Sequence, residues 1–111
     1  MKNLEARNAD QETGMAAYFI VDIDIKDTDG MQEYRDAVPR TIQKYGGRYL
    51  VRGGRWEVVE GHWQPRRVVV LEFPSVEQAK RWYHSEDYRE LKAQRQAASS
   101  SNVILVEGTQ A

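Results

Sequence analysis

The chain contains no cysteine, so it can form no disulfide, thiolate nucleophile or zinc–cysteine site. A domain without disulfides fits a reducing compartment, and we predict a cytoplasmic protein. Its two histidines, His62 and His84, lack metal-ligand spacing, so neither zinc nor non-haem iron is favoured. The glycine pairs at 46–47 and 53–54 lack the strand-to-helix placement of a phosphate or dinucleotide loop. We therefore predict no metal and no cofactor.

An excess of charge of one sign is also missing, because 16 basic residues nearly balance 17 acidic residues. These charges are scattered along the chain, so it has no electrostatic footprint for nucleic acid or an anionic membrane. We predict neither partner. The length of 111 residues allows one compact domain with a modest core.

The ends of the chain differ from its middle. Residues 1–15 are predicted to be a disordered tail, because they are polar, mixed in charge and without apolar periodicity. Residues 16–108 are predicted to form the single domain, and residues 109–111 a short C-terminal tail.

Hydrophobic periodicity predicts the order strand, helix, strand, strand, helix, strand. The predicted strands are residues 18–25, 48–52, 67–73 and 103–107, with residues 56–60 as a further edge segment. The first helix ends at Gly46, and Pro39 inside it predicts a kink or a break. The second helix opens at Ser75 and restarts at Ser85, because each serine can cap a helix.

This order predicts an α+β fold, βαββαβ, with one four-stranded antiparallel sheet and both helices on one face. The other face is predicted to be bare but apolar, and it comprises Tyr18, Ile20, Leu50, Val68 and Val70. Leaving such side chains in water forfeits roughly 1.5 to 3 kcal/mol each. We therefore predict a homodimer that packs sheet to sheet, the alternative being that residues 53–65 or the tail cover this face.

One arginine is predicted to point into the domain. Arg95 falls within the apolar stripe of the last helix, and a buried guanidinium favours a carboxylate partner, for which Glu72 and Asp22 are the candidates. Such a pair could be purely structural. Alternatively, Arg95 and Arg52 bind a carboxylate or enolate, and a desolvated Glu72 acts as a general base.

Aromatic residues and a histidine cluster at the end of the second helix. His84 suits proton transfer near neutral pH, whereas a histidine at a helix end often only complements the dipole. Trp82 and Tyr83 with Tyr49 could shape an apolar pocket or belong to the core. We predict a ligand between sheet and helices, with Glu72, His84 and Arg95 as catalytic candidates. The substrate-binding candidates are Tyr49, Arg52, Trp82 and Tyr83.

Several short motifs lie along residues 16–108, each occurring once: residues 46–54, Glu60-Gly61, Glu72-Phe73-Pro74-Ser75, Trp82-Tyr83-His84-Ser85 and Val106-Glu107-Gly108. Together they resemble the uncharacterised thirteen-thirty family of domains of unknown function. The resemblance implies a ferredoxin-like fold in the dimeric α/β barrel superfamily. Neighbouring families there include cofactor-free monooxygenases, muconolactone isomerases, and chlorite dismutase or dye-peroxidase relatives. It implies no catalytic residues.

Two functions remain open at this point. The first is a cofactor-free small-molecule enzyme, monooxygenase-like or isomerase-like, that uses a cleft between sheet and helices. The second is a non-catalytic homodimeric module that binds a small molecule or another protein. An unfilled apolar cleft reached by Arg95, Glu72 or His84 would favour the first, and mutually satisfied arginine–carboxylate pairs would favour the second.

Overall fold

The structure is a computed structural model that describes residues 15–109. The predicted tail therefore lies almost wholly outside the described residues. The elements are β1 Ala17–Ile25, a 3-10 turn Asp29–Met31, α1 Gln32–Lys44, β2 Arg48–Arg52, β3 Val68–Phe73, α2 Val76–Tyr83, α3 Glu86–Ala98 and β4 Ser99–Glu107. This order confirms the predicted ferredoxin-like α+β fold, with the second helical region divided at Ser85.

The four strands form one antiparallel sheet in the order β2-β3-β1-β4. Side chains alternate across a strand, so one set from the two central strands packs under the helices. This inner set contains Phe19, Ile23, Leu71 and Phe73, all buried. The helices contribute Val38, Ile42, Trp82 and Tyr88 to the same core. The predicted division of the strands into two faces is therefore confirmed.

Helix α1 continues through Pro39, so the predicted break is wrong. Proline has no N–H to donate to the carbonyl four residues earlier, which here belongs to Arg35. That carbonyl accepts a hydrogen bond from Nη2 of Arg52 on the neighbouring strand, at 2.9 Å. The helix ends at Lys44, and Gly46 follows two residues later with a φ of 84°, a conformation that glycine adopts without strain.

Serine side chains begin both later helices, as predicted. Ser75 Oγ accepts from the backbone N–H of Gln78 at 3.0 Å, and Ser85 Oγ accepts from that of Tyr88 at 3.2 Å. The Tyr88 ring then stacks on Trp82 with ring centroids 4.1 Å apart. The restart at Ser85 thus brings the aromatic residues of α2 and α3 together against the sheet.

Two predicted strands differ in the structure. The predicted edge segment at 56–60 is wrong, because residues 53–67 form one irregular loop. Asp22 on β1 holds this loop, since its carboxylate accepts hydrogen bonds from Trp63 Nε1 at 3.0 Å and from Arg66 N at 2.9 Å. Strand β4 begins at Ser99, four residues earlier than predicted. Its serines pair with β1 through the backbone, which requires no apolar side chain.

We call the sheet surface that points away from the helices the outer face. Across its middle, Val51, Val70, Ile20 and Ile104 lie side by side in register, one from each strand. Ile104 is 57% exposed and Leu50 is 45% exposed. The predicted apolar outer face is therefore present, and no helix packs on it among the described residues.

Candidate functional site

A pocket lies between the sheet and the helices, and we call it the inner pocket. Its cavity volume is about 70 Å³, enough for roughly five to seven water-sized groups. Most of its lining is apolar, and its polar side chains are tyrosines and arginines: Tyr34, Tyr49, Tyr83, Tyr88, Arg35, Arg52, Arg67 and Arg95. No aspartate, glutamate or histidine lines it.

The floor of the inner pocket is a cross-strand row of valines. Val69, Val21 and Val103 are directly opposite one another on β3, β1 and β4, and Arg52 on β2 continues the row beyond Val69. Because the row has one residue from each of the four strands, it crosses the whole sheet, with about 4.8 Å between neighbouring strands. The floor is therefore apolar, with a guanidinium at its β2 end.

A bulge in β2 places two predicted binding residues in the inner pocket. Tyr49 and Arg52 are three positions apart, and strict alternation would send them to opposite faces of the sheet. The pairing with β3 shifts register between Tyr49 and Val51, so one extra residue is inserted and both side chains line the pocket. The Arg52 guanidinium lies over the Tyr49 ring, 4.6 Å from its centroid.

The second guanidinium at this end of the pocket belongs to Arg67, at the end of the irregular loop. It packs directly against Gly53, where an added Cβ would overlap the guanidinium. Gly53 also has a φ of 72°, so any other residue there would be strained. Its backbone N–H donates to the Val68 carbonyl at 2.8 Å, which fixes the glycine beside the arginine.

Arg95 is the buried guanidinium of the site, with only 6% of the residue exposed. Its Nε donates to the Tyr88 hydroxyl at 3.3 Å, and that hydroxyl lies 2.8 Å from the hydroxyl of Tyr34. The predicted carboxylate partner is wrong, since within residues 15–109 no ion pair involves Arg95. Among the described residues, the guanidinium therefore contacts a phenolic oxygen and no carboxylate.

The two carboxylates proposed as partners of Arg95 have other contacts. Glu72 accepts from Arg48 Nε at 2.7 Å and from the Tyr18 hydroxyl at 3.1 Å. Tyr18 and Arg48 pair with Glu72 across the outer face, on the side of the sheet opposite the inner pocket. Asp22 holds the 53–67 loop. Neither carboxylate reaches Arg95.

Two tyrosines of the inner pocket, Tyr34 and Tyr49, remain protonated at neutral pH. Burial raises the pKa of Tyr34 above its ordinary value of 10.0, and the nearby Tyr88 raises it further. Burial also raises the pKa of Tyr49. These hydroxyls are therefore neutral hydrogen-bond donors and acceptors, and the arginines carry the charge of the site.

Five of the seven predicted site residues line the inner pocket: Tyr49, Arg52, Trp82, Tyr83 and Arg95. Trp82 is also a core residue and donates from Nε1 to Thr41 Oγ1 at 2.9 Å. Glu72 lies on the outer face. His84 is exposed at the end of α2, where its ring lies edge-on to that of Tyr83 with centroids 5.3 Å apart.

Neither the Tyr34–Tyr88 hydroxyl pair nor Arg67 is among the predicted site residues. Tyr34 and Tyr88 pack with the apolar residues of the core, a position that gives no sign that their hydroxyls meet. Arg67 is predicted only as the first residue of a strand. The sequence signal that could have identified Arg67 is a glycine, Gly53, at the start of a long loop and an arginine at its end, because the two ends of a loop between paired strands lie close together.

Other classes of site have no support in the part of the chain that the structure describes. No cluster of histidine, aspartate and glutamate there could hold a metal ion. None of the helices within residues 15–109 has the length and apolar character needed to cross a membrane. The cytoplasmic location stays a prediction.

Comparisons with known proteins give a family and a fold. The family model described as Domain of unknown function (DUF1330) matches residues 16–109. No curated protein matches the chain. A solved structure of RPA0582, a protein of unknown function from Rhodopseudomonas palustris, is similar with a TM-score of 0.72 at 17% identity, covering 89% of this chain and 86% of that one.

Two further solved structures have the same fold. Methylated RPA0582 gives a TM-score of 0.69 at 18% identity, covering 87% of this chain and 83% of that one. A putative antibiotic biosynthesis monooxygenase from Nitrosomonas europaea gives a TM-score of 0.50 at 13% identity, covering 87% of this chain and 92% of that one. At these identities the similarity shows the fold alone.

Proposed function

The chain belongs to the family described as Domain of unknown function (DUF1330), and we propose that it binds a small organic anion in the inner pocket. The observation that carries this proposal is the burial of Arg95 without a carboxylate partner among the described residues. A buried charge is costly unless it is paired, and a tyrosine hydroxyl compensates it only in part. An anionic ligand would complete the pairing.

The apolar part of the pocket defines the rest of the ligand. The valine floor and the rings of Phe19 and Trp82 offer no hydrogen bonds to a polar body. The cavity accommodates only a small group. We therefore infer a carboxylate, enolate or phenolate on a short apolar body, with its anionic oxygen at Arg95.

A cofactor-free enzyme is the role that the Arg95–Tyr88 contact favours. An enolate oxygen placed beside Arg95 could accept hydrogen bonds from both the guanidinium and the Tyr88 hydroxyl, which stabilises developing negative charge. This is the chemistry of an isomerase-like or monooxygenase-like reaction. The neighbour named a putative antibiotic biosynthesis monooxygenase shares the fold, and its name adds only a reaction class to test.

A non-catalytic binding module is the second candidate, and the composition of the pocket favours it. No carboxylate or imidazole lines the inner pocket, and burial keeps Tyr34 and Tyr49 protonated by raising the pKa of each. A proton-abstracting base would therefore have to come from the ligand or from a partner subunit.

We also propose a homodimer joined through the outer face. The apolar row at its centre is flanked on one side by the Tyr18–Glu72–Arg48 group, and on the other by the Asp22–Trp63 contact. An apolar centre with a polar rim is the usual anatomy of a protein interface. A second copy would cover Ile104 and Leu50, which no other part of residues 15–109 covers.

The test of binding compares an anion with its neutral amide. Isothermal titration with benzoate and benzamide should show binding of benzoate alone, and Arg95→Met should remove it while the protein stays folded. Arg81→Met is the matched control, since Arg81 is exposed on α2 and does not line the pocket. Equal affinity of wild type and Arg95→Met for benzoate would refute the proposal.

A second measurement separates the two roles. Exchange of the α-hydrogens of 4-oxopentanoate for deuterium in D₂O, followed by NMR, reports enolate formation. Exchange accelerated by wild type but not by Arg95→Met would support an enzyme. Binding of 4-oxopentanoate without accelerated exchange would support the binding module.

A further inference from the structure

We propose that the natural ligand of the inner pocket carries two anionic groups, one held by Arg95 and the other by Arg52 and Arg67, joined by an apolar spacer over the valine floor. This inference rests on the proposed anion-binding function and specifies its ligand class as a short dicarboxylate. The evidence is the distribution of positive charge around one apolar cavity.

The two cationic ends lie at opposite edges of the sheet. Arg52 belongs to β2, which is one edge strand, and its register position is next to Val69. Arg95 lies on α3, and together with Val103 and Ser101 of the opposite edge strand β4 it borders a shallow surface depression. Three valines of the floor separate the two ends. A ligand that follows the floor therefore meets a guanidinium at each end.

The width of the sheet sets the length of the spacer. Strands β2 and β4 are three strand spacings apart, or roughly 14 Å. Both arginine side chains line the same cavity, so we infer that a ligand joining them is shorter than the sheet is wide. Extended hexanedioate and octanedioate hold their two carboxylates apart by roughly half that width.

The site has no internal negative charge to balance these arginines. Within the described residues, none of Arg52, Arg67 and Arg95 forms an ion pair. Positive charges around one cavity repel each other, and a monoanion at Arg95 would leave the Arg52 end uncompensated. A dianion would compensate both ends, so the pocket should prefer it over a monoanion of equal length.

Backbone contacts hold the β2 end ready for an anion. The Arg35 carbonyl accepts from Arg52 Nη2, and the Tyr49 ring supports the same guanidinium from one side. Gly53 leaves the space that the Arg67 guanidinium occupies. Each guanidinium retains donors that none of these contacts uses, since arginine has five N–H groups. The geometry is therefore preorganised for a second carboxylate.

The experiment measures dissociation constants by titration calorimetry for dicarboxylates from butanedioate to decanedioate and for the monocarboxylates hexanoate and octanoate. We expect the tightest binding at hexanedioate or octanedioate, each about tenfold tighter than the monocarboxylate of the same length. Arg52→Met should weaken binding of hexanedioate and octanedioate far more than binding of hexanoate and octanoate, so the tenfold preference should disappear. Arg55→Met is the control, because Arg55 is an exposed arginine three residues after Arg52 that does not line the pocket.

The outcomes distinguish this inference from the proposed function. If monocarboxylates and dicarboxylates bind equally and Arg52→Met changes neither, the two-anion inference is overturned while anion binding stands. If no carboxylate binds wild type, anion binding itself fails and the inference fails with it. If Arg52→Met is poorly folded by circular dichroism, Arg52→Gln and Arg67→Met provide the same comparison with a polar group or the other guanidinium changed.

Discussion

The backbone carbonyl of Arg35 accepts a hydrogen bond from Nη2 of Arg52 at 2.9 Å. The carbonyl is free to do so because Pro39, four residues later in α1, has no N–H to offer it. A proline in the middle of a helix thereby orients a charged side chain on an adjacent strand. The helical hydrogen bond that Pro39 cannot make therefore leaves an acceptor for a guanidinium that lines the inner pocket.

Pro39→Ala should separate stability from ligand preference. Alanine restores the helical hydrogen bond to Arg35, and this gain offsets the lost rigidity of proline, so the free energy of unfolding should change by no more than about 1 kcal/mol. The new N–H would share the Arg35 carbonyl with Arg52 and weaken that contact, so the preference for octanedioate over octanoate should fall. Urea unfolding and calorimetry measure the two quantities, and an unchanged preference would show that Arg52 is positioned by Tyr49 alone.

Tyr88→Phe should destabilise the fold. It removes the hydroxyl to which Arg95 donates and leaves a buried guanidinium without that acceptor, at a cost of about 1 to 3 kcal/mol. Tyr83→Phe is the matched control, since Tyr83 lines the same pocket and its hydroxyl makes no hydrogen bond within residues 15–109. Thermal unfolding should show a lower midpoint for Tyr88→Phe alone, and added benzoate should recover part of the loss. Equal midpoints for the two variants would contradict this.

Gly53→Ala should affect both the loop and the ligand. A Cβ there overlaps the Arg67 guanidinium and requires a φ of 72° that alanine adopts at a cost of about 1 kcal/mol. We expect a modestly lower thermal midpoint and weaker binding of octanedioate. Gly54→Ala is the control, because the nearest atom to its added Cβ lies at an ordinary contact distance of 3.9 Å. Identical behaviour of the two variants would argue against a role for Gly53 in placing Arg67.

Val70→Lys should yield a monomer. Val70 lies in the apolar row of the outer face, and a lysine there would place an unpaired charge inside the proposed interface. Light scattering at micromolar concentration should show a dimer for wild type and for the control Gln43→Lys, which adds the same charge on exposed α1. A monomeric wild type would refute the homodimer.

Acid should release the 53–67 loop through Asp22. The pKa of Asp22 lies below its usual 3.8, first because the Trp63 indole donates to the carboxylate and then because backbone N–H groups of Arg66 and Arg67 do. A lowered folded-state pKa contributes stability above the unfolded pKa, and the contribution is lost as the pH falls through the folded value. Asp22→Asn should therefore reduce the loss of stability between pH 4 and pH 2, measured by tryptophan fluorescence during urea unfolding. An unchanged acid dependence would assign that loss to other carboxylates, such as Asp87.

Residue patterns alone predicted much of this protein. Alternation in β1 and β3 separated an inner from an outer face, and serine caps located both starts of the second helical region. The apolar stripe of α3 placed Arg95 inside the domain. These features depend on neighbours within a few residues, or on one periodicity, so the chain encodes them locally.

Only the tertiary structure decided what the buried groups contact. The bulge in β2 turned Arg52 to the same side as Tyr49, a shift that strict alternation excludes. Glu72 lies on the outer face, where it accepts a hydrogen bond from Arg48, and Arg95 donates to the Tyr88 hydroxyl and not to a carboxylate. Strand register and helix packing set these contacts, because they bring together residues dozens of positions apart. The sequence determined that Arg95 is buried, and the folded chain determined that it lines one cavity with Arg52 and Arg67, none of which forms an ion pair within residues 15–109.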